Sequence, residues 1–141
     1  MSRPFTALAA ATLSLIATAA QAETVHVTLS GVQAKPGRIA ASLNTREQFM
    51  RGAGSYTAMA TPTAGAVTLT FEGVAPGDYV LMVMHDENSN GRMDFGAMGP
   101  SEGWAFSNGD APMMGPPEFD AHRFTVGAER VELTETMHYG Q

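Results

Sequence analysis

Pro76-Gly77-Asp78-Tyr79-Val80-Leu81-Met82-Val83-Met84-His85 is the stretch that decides the fold. Proline presets φ and glycine accepts a positive φ, so Pro76-Gly77-Asp78 reads as a turn. Tyr79 to His85 then reads as a strand. Tyr79, Leu81 and Val83 share one face, and Val80, Met82 and Met84 share the other. A strand in a simple sandwich has one polar face. This one is apolar on both, so it belongs at the centre of a sheet and needs a cover.

Working outward, the neighbours keep the period of two that marks half-buried strands. Val67, Leu69 and Phe71 form the inward face of the strand before the turn. Further back come Thr24 to Ser30, with Val25, Val27 and Leu29 on one face, and Arg38 to Asn44, with Ile39, Ala41 and Leu43. Tyr56 to Thr61 is a weaker strand ending at Pro62. Thr45 and Gln48 have capping-box spacing, which predicts one helical turn between strands. At the far end, His122–Val126 and Glu129–Met137 place Phe124, Val126, Val131 and Leu133 inward. About seven short strands without βαβ spacing predict an all-β fold, an antiparallel β-sandwich of the immunoglobulin-like or transthyretin-like kind. A small closed barrel is the alternative.

Residues 95–121 show neither period. They mix Phe95, Met98, Trp104, Phe106, Met113, Met114 and Phe119 with many glycines and prolines. Aromatic content argues for packing rather than disorder. The expectation is a long ordered loop folded over the central strand, with thioethers filling its gaps.

The first residues read as an address. Arg3 precedes an apolar run from Phe5 to Ala20, and Ala20-Gln21-Ala22 has the small-x-small pattern of a cleavage site. Residues 1–22 are therefore expected to be a secretory signal peptide, with 23–141 one domain of a periplasmic or extracellular protein. No second apolar segment of spanning length follows. The 141 residues contain no cysteine, which excludes disulfides, thiol nucleophiles and Cys-ligated metals. Eight Lys plus Arg against 14 Asp plus Glu give a net charge of -6. That balance argues against a nucleic-acid partner, because no basic cluster exists to displace counterions.

One constellation carries chemistry. Asp86, Asn88, Asn90, Gly91 and Asp94 fall at positions one, three, five, six and nine of a calcium loop, and the carbonyl of Arg92 would add a ligand at seven. Alternate short side chains can aim oxygens at one centre, and glycine permits the reversal. Position twelve is Ala97, where an EF-hand has glutamate, and no helix pair is evident. The loop is thus a shorter Asp-x-Asn-x-Asn-Gly-x-x-Asp type, expected to hold a structural calcium. Glu87, Glu102, Asp110, Glu118 or water would complete the shell. The competing reading is an Asx-turn loop whose side chains bond its own backbone.

Other candidates are weaker. Trp104 and Phe106 are candidate ligand contacts: exposed, they would form a platform for a glycan or peptide, and buried, a lid. His85 and His122 with methionines could hold copper in a periplasmic metal-binding protein, since soft thioethers select Cu(I). His85, Asp86 and His122 with Ser101 or Ser107 sketch a hydrolase, but no Gly-x-Ser-x-Gly elbow exists. A non-catalytic role in the cell envelope, with an envelope protein, peptide or glycan as partner, is the preferred expectation.

Several stretches together resemble the DUF2141 family of secreted bacterial domains of unknown function. They are Val25-His26-Val27-Thr28-Leu29-Ser30-Gly31, the segment from Phe71 to Tyr79, the segment from His85 to Asp94, Glu102 to Asn108, and Gly115 to Phe119. The resemblance implies export and a β-sandwich. It implies no catalytic residues.

Overall fold

A computed structural model describes residues 14, 21–110 and 115–140. The expected signal peptide lies almost wholly outside the described residues, as do Met113 and Met114. The described residues form ten strands and one helical turn. They are β1 (Glu23–Val32), β2 (Arg38–Asn44), β3 (Tyr56–Ala60), β4 (Gly65–Val74), β5 (Gly77–Asp86), β6 (Phe95–Gly96), β7 (Gly99–Pro100), β8 (Gly103–Phe106), α1 (Phe119–His122), β9 (Phe124–Val126) and β10 (Val131–Thr136).

Two sheets face each other. One has the order β10-β1-β4, and the other β3-β2-β5-β8 with β9 also paired to β5. The sandwich follows from the alternation: Val25, Val27 and Leu29 of β1 and Val67, Leu69 and Phe71 of β4 meet Ile39 and Leu43 of β2 and Leu81 and Val83 of β5 in one core. Burying such side chains is worth about 25 cal/mol per Å² of apolar surface. The chain passes between sheets at Ala75-Pro76. There the Tyr79 hydroxyl donates to the Ala75 carbonyl at 2.8 Å. The Tyr56 hydroxyl accepts the Ala75 N–H at 3.0 Å. This resembles the tyrosine corner of immunoglobulin-like sandwiches, where a phenol pins a crossover.

The predicted turn after β2 forms as its spacing requires. Gln48 Oε1 accepts the Thr45 N–H at 3.0 Å, and the Phe49 N–H donates to the Thr45 carbonyl at 2.9 Å.

Two features depart from expectation. The first is direction: β1 runs parallel to β10, with Val25 opposite Val131 and Ser30 opposite Thr136. Side-chain alternation is the same for either direction, so periodicity could not show it. The second is the stretch 95–121. It is not one irregular loop, for it contains β6, β7, β8 and α1. β8 was hidden because its inward residues are Gly103 and Ala105, too small to register as an apolar face. A Cβ on Gly103 would sit 2.4 Å from the Tyr139 ring, so the inward bulk comes from the tail.

β8 also lies beside β5, not over it. The cover over the outer face is therefore partial. Val80 and Phe119 are buried outside the main core. Phe49 meets the Phe119 ring edge-on at 5.9 Å and the Phe106 ring at 6.4 Å. Arg46 bonds Asp120 at 2.5 Å, with its guanidinium 4.6 Å over Phe119. Met82 and Met84, further along β5, remain half-buried.

One edge of β5 is shared. β9 pairs with Gly77–Tyr79 and β8 with Met82–His85. Between them Ser107 takes both backbone groups of Leu81. Its N–H donates to the Leu81 carbonyl at 3.1 Å, and its Oγ accepts the Leu81 N–H at 2.9 Å. The same hydroxyl donates to the His122 carbonyl at 2.5 Å. A buried donor left unpaired costs about 1–3 kcal/mol. Ser107→Ala is therefore expected to lower unfolding stability by about that amount in urea melts. A loss within experimental error would show that the hydroxyl does not satisfy Leu81.

Candidate functional site

The loop 86–94 follows directly from β5. Asp86 is fully buried. Its Oδ1 accepts the Asn90 N–H at 3.1 Å, and its Oδ2 accepts the Gly91 N–H at 2.9 Å. Arg38 Nε lies 3.4 Å from Oδ2, an ion pair without hydrogen-bond geometry. Asn88 Oδ1 accepts the Asn90 N–H at 3.2 Å, and Asn90 Oδ1 accepts the Arg92 N–H at 3.1 Å. These are Asx turns, in which a short side chain stands in for a backbone acceptor. Gly91 at φ 79° makes the reversal that its position in the pattern requires, and Ser89 at φ 56° makes a second.

The side-chain amides turn to Asp94. Asn88 Nδ2 donates to Asp94 Oδ2 at 2.7 Å, and Asn90 Nδ2 reaches both carboxylate oxygens at 3.0 and 2.9 Å. Asn88 first, and then Asn90, hold the Asp94 carboxyl below its ordinary range, because both donate to the charged form. Asp86, Asn88, Asn90 and Asp94 are thus linked in one network. Arg92 contributes its backbone to it, and its carbonyl remains the candidate ligand.

Glu102 closes the loop from the other side. It is buried, its Oε1 accepts the Glu87 N–H at 3.1 Å, and its Oε2 accepts the Asp94 N–H at 3.2 Å. One carboxylate therefore ties both ends of the loop. Glu87 itself pairs with Lys35 at 3.0 Å. Asp110 is placed elsewhere, close enough to Glu135 for its charge to raise that carboxyl.

Trp104 and Phe106 lie on the outward face of β8, both half-buried. His138 stacks on Trp104 at 4.7 Å, and His122 stacks on Phe106 at 5.1 Å. The Trp104 and Phe106 rings tilt together at 5.6 Å. The result is an aromatic row along a strand, not a loop.

The histidines are dispersed. His85 faces the core side, between the Tyr139 hydroxyl at 2.9 Å and the Pro36 carbonyl at 3.0 Å. A carbonyl only accepts, so Nε2 carries the proton and Nδ1 accepts from Tyr139. His122 Nδ1 lies 3.1 Å from the Ser107 carbonyl, a contact that makes it the donor. Ser107 and His122 do adjoin, but the Ser107 hydroxyl bonds backbone groups rather than the imidazole. Ser107 is thus not held by His122 in the way an activated nucleophile is held by its base.

Sequence reading missed one buried acid. Glu135 sits on the inward parity of β10 with Val131 and Leu133, and it accepts the Asn108 and Gly109 N–H groups at 2.9 and 3.2 Å. Burial pushes its carboxyl up, against the lowering by those two donors. The parity of Val131 and Leu133 was the available signal. Among the described residues, no group of three or more His, Asp or Glu side chains could hold a metal, and no helix is long and apolar enough to cross a membrane.

The β-sandwich and its loop belong with a known bacterial family. A family described as uncharacterised proteins conserved in bacteria, DUF2141, matches residues 27–134, and this chain belongs to it. No curated protein and no solved structure matches the chain.

Asp94 carries a pH signature. A carboxyl lowered by folding contributes stability that is full above its ordinary value and fades as pH falls through the lowered one. Glu135, raised by burial, works in the opposite sense, costing stability as pH rises past its ordinary value. The stability gap between the wild type and Asp94→Asn is expected to be open at about pH 6 and to be narrower at about pH 2.5, below the ordinary carboxylate range. Urea midpoints at both values check this, and an unchanged gap would remove the charge from the account.

Proposed function

We propose that this chain is an exported, non-catalytic β-sandwich module with a binding or structural role in the cell envelope, and that its 86–94 loop holds a structural calcium ion. Export is inferred from residues 1–22, which have the charged, apolar and small-residue pattern of a signal peptide. The periplasm or the extracellular space is then its compartment.

The observation that supports calcium is the meeting of Asn88 and Asn90 with Asp94 at 2.7–3.0 Å. The donor chemistry fits a hard cation: two carboxylates, two amides and the Arg92 carbonyl are all oxygen sources. Calcium takes six to eight such ligands and tolerates irregular geometry, whereas magnesium demands a near-ideal octahedron. Rotation of the Asn88 and Asn90 amides would turn their oxygens toward the ion, giving up their Asx-turn bonds to the Asn90 and Arg92 N–H groups. Asp94 stays anionic at neutral pH, and water would complete the shell. When bound, the ion would supply a fixed positive charge that crosslinks the end of β5 to the segment leading into β6. The backbone donors to Asp86 and Glu102 would keep the loop shaped in either state.

Binding to the folded state alone stabilises by about 2.7 kcal/mol when the ligand is at 100 times its Kd. Calcium is expected to raise the melting temperature of the purified protein, magnesium to raise it less, and chelator to reverse the gain. Asp94→Ala should lose the calcium response altogether, while in chelator it should differ from the wild type only by the loss of the Asn88 and Asn90 bonds to the carboxylate. Equal melting in calcium and in chelator would overturn the calcium reading.

A further inference from the structure

The outer face of the five-stranded sheet carries three methionines around one small residue. Strand register places Ala40 directly between Met59 of β3 and Met84 of β5. Met82 lies on the same face of β5, two residues before Met84. Adjacent strands are about 4.8 Å apart, and residues two apart on a strand about 6.6 Å. Ala40 has only a methyl group, so nothing tall separates the thioethers of Met59 and Met84. Met59 is 65% exposed, and Met82 and Met84 are half-buried. None of the three belongs to the main core.

The surroundings favour a cation. Trp104 stands opposite Met84 on the next strand, and Phe106 opposite Met82. Aromatic faces attract positive charge. One row further along, Arg38 pairs with Asp86, and the acidic loop begins there. Beyond Trp104, His138 stacks on the indole. Polar side chains are usual on the solvated face of such a sheet. Methionine in place of leucine there adds a thioether donor at similar volume. A thioether is neutral and soft, so it is a poor ligand for calcium or magnesium and a good one for Cu(I).

We infer that Met59, Met82 and Met84 form a thioether site for a soft monovalent cation, Cu(I), beside the Trp104 indole. The site differs from the copper set expected from the sequence. His85 is turned to the opposite face of β5 and bonded to Tyr139 and Pro36, and His122 is stacked on Phe106. It also stands apart from the calcium loop and does not depend on it. No redox step is involved: the cation binds and leaves in the same oxidation state.

The test uses silver(I), a redox-inert probe of the same softness, in chloride-free buffer with the purified full chain. Trp104 is the single tryptophan, so its fluorescence reports the site directly. Silver is expected to quench it to saturation at one equivalent. Met methyl resonances of Met59, Met82 and Met84 should shift before those of Met98, which is 97% exposed, and Met50. Met82→Leu and Met84→Leu conserve volume, and each should weaken binding at least tenfold without lowering the melting temperature. Met98→Leu should leave binding unchanged. Simultaneous shifts of all exposed methyls, or full quenching in the triple Met59→Leu/Met82→Leu/Met84→Leu variant, would overturn the site. Displacement of silver by millimolar calcium would reassign the cation to the acidic loop. Silver-free dimerisation through these residues would reassign the face to a second copy of the chain.

Discussion

Leu81 has both of its backbone hydrogen bonds completed by one serine, and the arrangement of the rest of the sheet depends on that. A central strand cannot leave buried peptide groups unpaired. β5 is longer than either partner on its β8/β9 edge, so that edge is built in tandem from β9 and β8. The gap falls at Leu81, and Ser107 fills it. The same hydroxyl also donates to the His122 carbonyl. This helps fix α1, which lies against β5 and carries the buried Phe119. Phe49 and Arg46 then pack on Phe119, and Phe106 packs on Phe49. A single polar side chain thereby organises the aromatic cluster on one half of the outer face, while the other half keeps its methionines.

The opposite end of β5 is organised by carboxylates. Asp86 and Glu102 are both buried, and each spends its oxygens on backbone N–H groups of the loop. Buried acids are tolerated when hydrogen-bonded in this way. Asp94 is bonded instead by amides that can rotate. The loop therefore has an inner frame that is fixed and an outer set of ligand-type groups that is adjustable. That division would suit the ion proposed above, because the frame does not depend on it.

Much of the sandwich was legible because side-chain alternation is a local property. β2 runs over the predicted residues, and β1, β4 and β5 extend the predicted strands by a few. The pattern Asp86, Asn88, Asn90, Gly91, Asp94 announced a turn-rich polar loop, and the Asx turns and the positive φ at Gly91 follow from it. What alternation does not encode is partnership. The parallel pairing of β1 with β10 could not be read, nor could the tandem edge of β5. β8 escaped notice because Gly103 and Ala105 leave room for Tyr139, a residue 36 positions away whose approach no local window contains. The placement of His85 was available all along. Its parity matches Tyr79, Leu81 and Val83, so it could never share a face with Met82 and Met84.

The pairing of β1 with β10 joins residues that are far apart in synthesis. Val25 is among the first residues of the sheet to be made, and Val131 among the last. Its partner strand does not exist until the C-terminus emerges, and topologies rich in such distant contacts fold slowly. Until then β1 has β4 on one side and no neighbour on the other. Under the export proposed above, tardy closure of this edge would suit passage through a narrow secretion channel, a consequence of the wiring of the sheet itself.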